Sequence, residues 1–190
     1  KEISTVVRRI RTHPSLCCYC GDNENDLGMF FNGINATDYI ISRRVIPETL
    51  FDVDPFRPYL PSSPYFTEKI LSSREENDLA ENHLWGPRNY FKSKFYLENK
   101  NVFISEIGYH GCPSETSIRK FISEEFVCSR ENDEWMLHQT SPDGKWSEDW
   151  NRIKLMSFQV RELFGEIPED TAEFSLLSQI SQAEALKFFI

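Results

Sequence analysis

Residues 101–114, NVFISEIGYHGCPS, decide the fold. The stretch opens with Val102, Phe103 and Ile104, and a short apolar run of this kind is typical of a strand buried on both faces of a parallel sheet. Glu106 follows where the run ends. A carboxylate is costly to bury, and a β/α barrel carries its chemistry at the C-terminal ends of its strands. The stretch therefore predicts a buried strand with a functional acid at its mouth; an acid paired with a nearby arginine or lysine is the alternative.

A second segment repeats this pattern much earlier in the chain. Residues 16–19 form a short apolar run, and the polar cluster at 21–26 follows it and contains Glu24. Parallel strands end at the same edge of a sheet, so Glu24 and Glu106 are expected to face one pocket. Two such carboxylates suit glycoside hydrolysis, in which one assists the leaving oxygen and the other attacks the anomeric carbon. The polar cluster is also good turn composition, which leaves a solvated turn as the alternative.

The rest of the chain is predicted to alternate helices with short strands. Helices are predicted over residues 2–11, over 38–51 with Thr37 as its cap and a kink at Pro47, after Ser114, from Ile153 to a stop at Gly165, and around 177–186. Further strands are predicted at 58–60 and 79–85, with loops at 65–78 and 132–150. This order argues for an α/β fold with a parallel sheet, open or barrel. A complete eight-stranded barrel needs about 250 residues, so the chain is predicted to be part of one.

Composition limits the partners. The formal net charge of -9 argues against nucleic acid and anionic membranes, because no basic run exists to release counterions. No stretch approaches the roughly 20 apolar residues of a membrane span, so no membrane partner is predicted. The chain opens with a charged, amphipathic segment that lacks Met and has no signal-peptide pattern, as a mature or excised piece would.

Cysteine and histidine usage argues against a metal or another cofactor. Three of the five cysteines lie at 17–20, where strand alternation puts Cys18 and Cys20 on one face and Cys17 on the other. Buried, reduced thiols are the favoured interpretation; they favour the cytoplasm, although a periplasmic or secreted location stays open. The four histidines are scattered without ligand spacing, so a metal-dependent hydrolase is the weakest alternative.

His83 and Trp85 are two apart on a predicted strand and are therefore expected on the same side. A lone histidine is more often a satisfied structural residue, but a histidine beside a tryptophan at a strand end is also a candidate binding pair.

Four motifs in order resemble glycoside hydrolase family 2, particularly its β-mannosidase-like members. They are HPSL at 13–16 with GDNEN at 21–25, PYLPSSP at 58–64, HLWGP at 83–87, and FISEIG at 103–108 with CPS at 112–114. The resemblance covers residues 3–122 well and the last helices loosely. It implies that residues 1–190 are a fragment of a catalytic (β/α)8 TIM barrel, roughly strands four to seven with their helices. The remaining strands and the β-sandwich domains are then expected elsewhere in a longer chain.

The resemblance also implies roles. Glu24 would be the general acid and then the general base, and Glu106 the nucleophile. Asn23 would bind the sugar 2-hydroxyl, while His83 and Trp85 would line the terminal-sugar subsite. The expected activity is retaining exo-hydrolysis of terminal β-glycosides, β-mannosides first, with the isolated fragment inactive. The alternatives are a β-galactosidase, β-glucuronidase or exo-β-glucosaminidase of the same family, or a carbohydrate-binding barrel without turnover.

Overall fold

The computed structural model describes residues 1–35, 38–73, 79, 81–85, 90–139 and 151–190. The helices are α1 (Glu2–Ile10), α2 (Asn25–Asn32), α3 (Ile46–Val53), α4 (Glu68–Ser73), α5 (Lys94–Leu97), α6 (Glu115–Ile118), α7 (Asp133–Leu137), α8 (Arg152–Phe164) and α9 (Thr171–Phe189). The strands are β1 (Tyr19–Cys20), β2 (Tyr59–Leu60), β3 (Glu81–Leu84) and β4 (Phe103–Ile107). A π-helical turn, Ile41–Val45, leads into α3, and a 3-10 turn spans Glu124–Phe126. The predicted α/β class is confirmed at this level.

The described strands form two small sheets. β1 and β2 are parallel, with Tyr19 opposite Tyr59, and an isolated parallel bridge between Asn23 and Ser63 continues the alignment past the strand ends. β3 pairs with β4 in the second sheet. The predicted partial barrel, in which these would be strands four to seven, stays a prediction.

The expectation that residues 102–107 are buried on both faces is wrong. Val102 is 92% exposed and Phe103 is 57% exposed. In the described part of the chain β4 has one neighbouring strand, β3, so much of its surface is uncovered. An apolar run shows which surface favours burial; whether that surface is covered depends on distant elements.

Several short elements differ from the sequence predictions. Helix α2 begins inside the cluster interpreted as a turn, and α4 lies in the predicted loop at 65–78. The predicted helix over 38–51 is irregular near Pro47, because the π-helical turn Ile41–Val45 comes directly before α3, whose first turn holds this proline. The predicted Thr37 cap, the Gly-Pro end of the HLWGP motif and most of the loop at 132–150 lie outside the described residues.

The chain divides into two compact units, and the first comprises residues 1–83 and 100–106. One apolar cluster joins α1 to α3 through Val7, Leu50 and Val53. Another packs Phe30 of α2 against Phe66, whose ring centroids lie 5.0 Å apart. These two clusters hold the segments that carry the polar ends of β1 and β2.

The second unit comprises residues 84–99 and 107–190. Its main core includes Ile118, Val127, Val160 and Phe174, with α8 packed on α9. The predicted stop at Gly165 is confirmed by its positive φ of 88°, which ends α8. Among the described helices, none has both the length and the apolar character that crossing a membrane requires.

A buried ion pair anchors the start of α2. Asp26 is fully buried, and its carboxylate pairs with the guanidinium of Arg43 and accepts the backbone N–H of Phe66 at 2.9 Å. Burial raises the pKa of Asp26, opposed by its bond to the Phe66 N–H and by Arg43. The charge is therefore tolerated only because its partners are in place.

Replacing Asp26 with alanine is expected to lower the free energy of unfolding by about 3 kcal/mol, because Arg43 is left without its carboxylate in a partly buried place. Urea denaturation measures the change. The control is Glu48→Ala, which breaks the exposed pair of Arg44 with Glu48 at 3.1 Å and should cost less than about 1 kcal/mol. Equal losses for the two variants would contradict an anchoring role for Asp26.

Candidate active site

Backbone hydrogen bonds from the end of β2 place Glu24. Its N–H donates to the Ser63 carbonyl at 2.8 Å, and the Ser63 N–H donates to the Asp22 carbonyl at 3.1 Å. Glu24 has a φ of 60°, in the left-handed region that costs a side-chain-bearing residue about 1–3 kcal/mol. Such a conformation persists where the surrounding structure holds it, and it is a common feature of functional sites.

The structure brings Glu24 and Glu106 onto one imidazole. His83 Nδ1 lies 2.8 Å from Glu24 Oε1 and 2.8 Å from Glu106 Oε2. The three atoms all lie within 4.8 Å of one another. The histidine side chain is 5% exposed, whereas the two glutamate side chains are 40% and 37% exposed. Two carboxylates far apart in the chain thus meet at a partly open surface above a buried histidine.

A second set of polar groups lies on the other side of the imidazole. Ser63 Oγ is 2.8 Å from His83 Nε2, and the Ser63 hydroxyl donates to Glu81 Oε1. Ser105 donates to the same Glu81 oxygen. Glu81 is buried, and its Oε1 lies 3.7 Å from His83 Nε2. A series of contacts thus connects the buried Glu81 carboxylate, through the Ser63 hydroxyl and the His83 imidazole, to the partly exposed carboxylates of the two catalytic candidates.

The backbone of β3 explains why these groups converge. Glu81 and His83 are two apart on the strand and so point to the same side. The His83 N–H donates to Asn82 Oδ1 at 2.8 Å, and the Asn82 amide donates to Asn101 Oδ1 at 3.0 Å. These contacts link β3 to the segment that leads into β4, which carries Glu106.

Sequence reasoning missed Ser63, Glu81 and Ser105. Glu81 could have been found from strand alternation, since it lies two residues before the candidate His83. Ser105 directly precedes Glu106, and Ser63 lies in the PYLPSSP motif, but no pattern in the sequence shows that either hydroxyl reaches Glu81.

The two remaining predicted residues differ in position. Asn23 directly precedes Glu24, is exposed and bridges to Ser63. Trp85 belongs to the second unit, where its indole packs edge-on against His110 with centroids 5.9 Å apart. A Cβ on Gly108 would fall 1.7 Å from that indole ring, so only glycine allows this packing.

The cysteines are free thiols, as predicted, but the expectation that they are buried is wrong for all except Cys112. Partial desolvation raises the pKa of Cys18 and of Cys20, which favours the neutral thiol, a poor metal ligand. The close nitrogen and oxygen atoms of His83, Glu24 and Glu106 are at a spacing that a divalent cation could bridge. Their 2.8 Å contacts are also ordinary hydrogen-bond distances, which a shared proton satisfies.

Comparisons with known proteins point to glycoside hydrolases. No family model matches the chain. β-Mannosidase from Mus musculus is 24% identical over 203 residues, which cover 98% of this chain and 22% of that protein. β-Mannosidase B from Aspergillus flavus is 24% identical over 204 residues, which cover 99% of this chain and 23% of that protein. The chain therefore spans less than a quarter of the length of these relatives.

A solved structure agrees with the sequence relatives. The crystal structure of β-D-mannosidase from Dictyoglomus thermophilum is 28% identical, with a TM-score of 0.71 over 99% of this chain and 22% of that one. The likeness is weak in identity but consistent, and it extends over nearly the whole chain. The chain is thus homologous to glycosidases, and the particular relatives matched are β-mannosidases.

Proposed function

We propose that this chain carries the acid pair of a retaining exo-β-glycosidase of family 2 that acts on terminal β-mannosides. The observation that carries the proposal is the meeting of Glu24 and Glu106, whose nearest oxygens lie within 4.8 Å. Retaining enzymes hold their carboxyl groups about 5–5.5 Å apart, whereas inverting enzymes need about 6.5–9.5 Å to admit a water. The names of the relatives support the choice of β-mannoside.

In this mechanism Glu106 attacks the anomeric carbon while Glu24 protonates the departing glycosidic oxygen. A covalent glycosyl-enzyme forms, and Glu24 then removes a proton from the water that hydrolyses it. The exposure of the two carboxylates leaves room for a sugar above them. Their contact with one imidazole supports a short separation of the kind that the two steps require.

The proposal also gives roles to three further side chains and places the four strands in a barrel. Asn23 binds the sugar 2-hydroxyl, an interaction that strengthens in the transition state. His83 and Trp85 line the terminal-sugar subsite, and Trp85 offers a flat apolar face. The four strands are strands four to seven of a TIM barrel whose other strands, with flanking β-sandwich domains, lie elsewhere in the full-length protein.

Trapping with 2-deoxy-2-fluoro-β-mannosyl fluoride tests the proposal in the full-length protein. The reagent should inactivate the enzyme and leave one fluoromannosyl group on the peptide that contains Glu106, as read by mass spectrometry. Aryl β-mannosides should be hydrolysed faster than the matching galactosides, glucuronides and glucosaminides. A protein that binds sugars but forms no adduct and hydrolyses none of these substrates is a binding barrel, and the proposal is then wrong.

Removal of divalent cations separates this mechanism from metal-assisted hydrolysis. Dialysis against a strong chelator should leave kcat for an aryl β-mannoside within about twofold, because acid–base and nucleophilic steps through Glu24 and Glu106 use no Lewis acid. Measurement before and after dialysis, and after added Zn²⁺, provides the check. Activity that disappears with the chelator and returns with metal would instead assign the Glu24, His83 and Glu106 cluster to a cation.

A further inference from the structure

The Ser63 hydroxyl decides which nitrogen of His83 carries a hydrogen. A hydroxyl has one hydrogen to give, and that of Ser63 goes to the carboxylate of Glu81. Its oxygen can then only accept at the 2.8 Å contact with His83 Nε2, so Nε2 is the donor. The same Glu81 oxygen also accepts from the Ser105 hydroxyl, so two hydroxyl donors face this carboxyl group.

With a hydrogen on Nε2, the remaining question is whether Nδ1 also carries one, because Nδ1 is the atom that contacts the two partly exposed glutamates. Nδ1 lies 2.8 Å from an oxygen of Glu24 and 2.8 Å from an oxygen of Glu106. Contacts of that length need a hydrogen, since a bare nitrogen and two ionised oxygens would repel one another. Three carboxylates, those of Glu24, Glu81 and Glu106, surround the one buried imidazole. One proton is therefore shared among Nδ1 and the two exposed carboxyl groups.

We propose that His83 is a positioning residue that stores the acid proton for Glu24, and that Ser63 and Glu81 hold its imidazole in the form able to do so. The inference rests on the proposed glycosidase function. In the step, the Nδ1–H bond breaks and an O–H bond forms on Glu24. His83 is left neutral with its hydrogen on Nε2, and ionised Glu106 is released to attack. Glu24 then gives the proton to the glycosidic oxygen and later recovers one from the attacking water.

The predicted signature is a dependence on the leaving group. Ser63→Ala removes the acceptor for Nε2–H, so the imidazole can rotate or change tautomer, and the supply of a proton to Glu24 fails. In the full-length protein, kcat/KM for an alkyl β-mannoside, which needs acid assistance, should fall about 10²-fold, the cost expected when a reactive group is misplaced. For a dinitrophenyl β-mannoside, whose leaving group needs no proton, kcat/KM should change by less than about threefold.

Conservative and matched variants complete the experiment. Ser63→Thr keeps the hydroxyl and should restore most of the alkyl-mannoside activity. Glu81→Gln keeps an oxygen for Ser63 but removes the charge behind the imidazole, and it should show the same leaving-group split as Ser63→Ala. Ser15→Ala is the control, because Ser15 Oγ lies 2.8 Å from Nδ1 of His13 in an exposed pair outside the site. That control should leave both substrates unaffected.

The outcomes are distinguishable. Equal losses on both substrates, or losses that threonine does not rescue, would assign Ser63 a purely structural role and overturn the inference while leaving the glycosidase intact. A wild-type protein that hydrolyses neither substrate would instead overturn the proposed function.

Discussion

Replacing Glu106 with glutamine is expected to lower kcat for an aryl β-mannoside by at least about 10⁴-fold, or about 5.4 kcal/mol of activation free energy. The amide is nearly isosteric with the carboxylate but is a far weaker nucleophile, so the covalent intermediate does not form. The loss should be the same for good and poor leaving groups, because both need the attack on the anomeric carbon. Steady-state kinetics in the full-length protein measures it.

Controls separate loss of chemistry from loss of structure in the Glu106 variant. Glu106→Gln should retain an oxygen within reach of His83 Nδ1, so its thermal unfolding midpoint should stay close to that of the wild type. Glu125→Gln changes an exposed glutamate of the short turn Glu124–Phe126 in the second unit and should leave kcat unchanged. Near-normal hydrolysis by Glu106→Gln, or fluoromannosyl labelling that persists in it, would remove Glu106 from the nucleophile role.

The meeting of the two glutamates was expected from a simple geometric rule. Parallel strands end at one edge, so an acid after β1 and an acid late in β4 were expected to converge, and their oxygens do lie close together. The rule needs only the strand positions, and short β-branched and aromatic runs reveal those. The described strands form two separate sheets, with β1 in one and β4 in the other, so the single parallel sheet that the rule assumes stays a prediction although the two oxygens meet.

The groups around His83 could not be predicted with the same rule. Strand alternation puts Glu81 and His83 on one side, but the contact from Ser63 depends on how the loop after β2 is aligned with β1. That alignment comes from the bridge between Asn23 and Ser63 and the backbone bonds beside it, which pair residues forty positions apart. Sequence periodicity carries no information on pairing over such distances.

Short helices were missed for a different reason. Helices α4 and α5 have six and four residues, too few for a hydrophobic period to show or for intrinsic propensity to hold them. Helix α6 is equally short but was predicted, because Ser114 precedes it at the N-cap position. Helix α4 is held by burial of Ile70 in the cluster around Phe66, which comes from tertiary packing. The longer helices α8 and α9 show several turns of the pattern, and both were predicted.

Replacing Glu24 with alanine is expected to lower kcat/KM by an amount that depends on the leaving group of the substrate. For an alkyl β-mannoside, kcat/KM should fall about 10²–10⁴-fold, the usual contribution of a positioned general acid. For a dinitrophenyl β-mannoside the first step should hardly slow, because the phenolate leaves without a proton. Hydrolysis of the intermediate then lacks its general base and becomes rate-limiting, so a burst of dinitrophenol should precede slow turnover.

Azide provides the decisive test of the same variant. Azide is a small anionic nucleophile that needs no general base, and the space left by the Glu24 carboxylate admits it beside the anomeric carbon. It should raise the steady-state rate of Glu24→Ala on the dinitrophenyl substrate and yield β-mannosyl azide, while leaving Glu106→Gln inactive, since that variant forms no intermediate to intercept. If azide had no effect, or if Glu24→Ala slowed activated and unactivated mannosides equally, Glu24 would not be the acid–base residue. Azide rescue and the dependence on the leaving group together distinguish proton transfer by Glu24 from a role in which Glu24 only holds His83 in place. If Glu24 only held His83, added azide would not yield β-mannosyl azide.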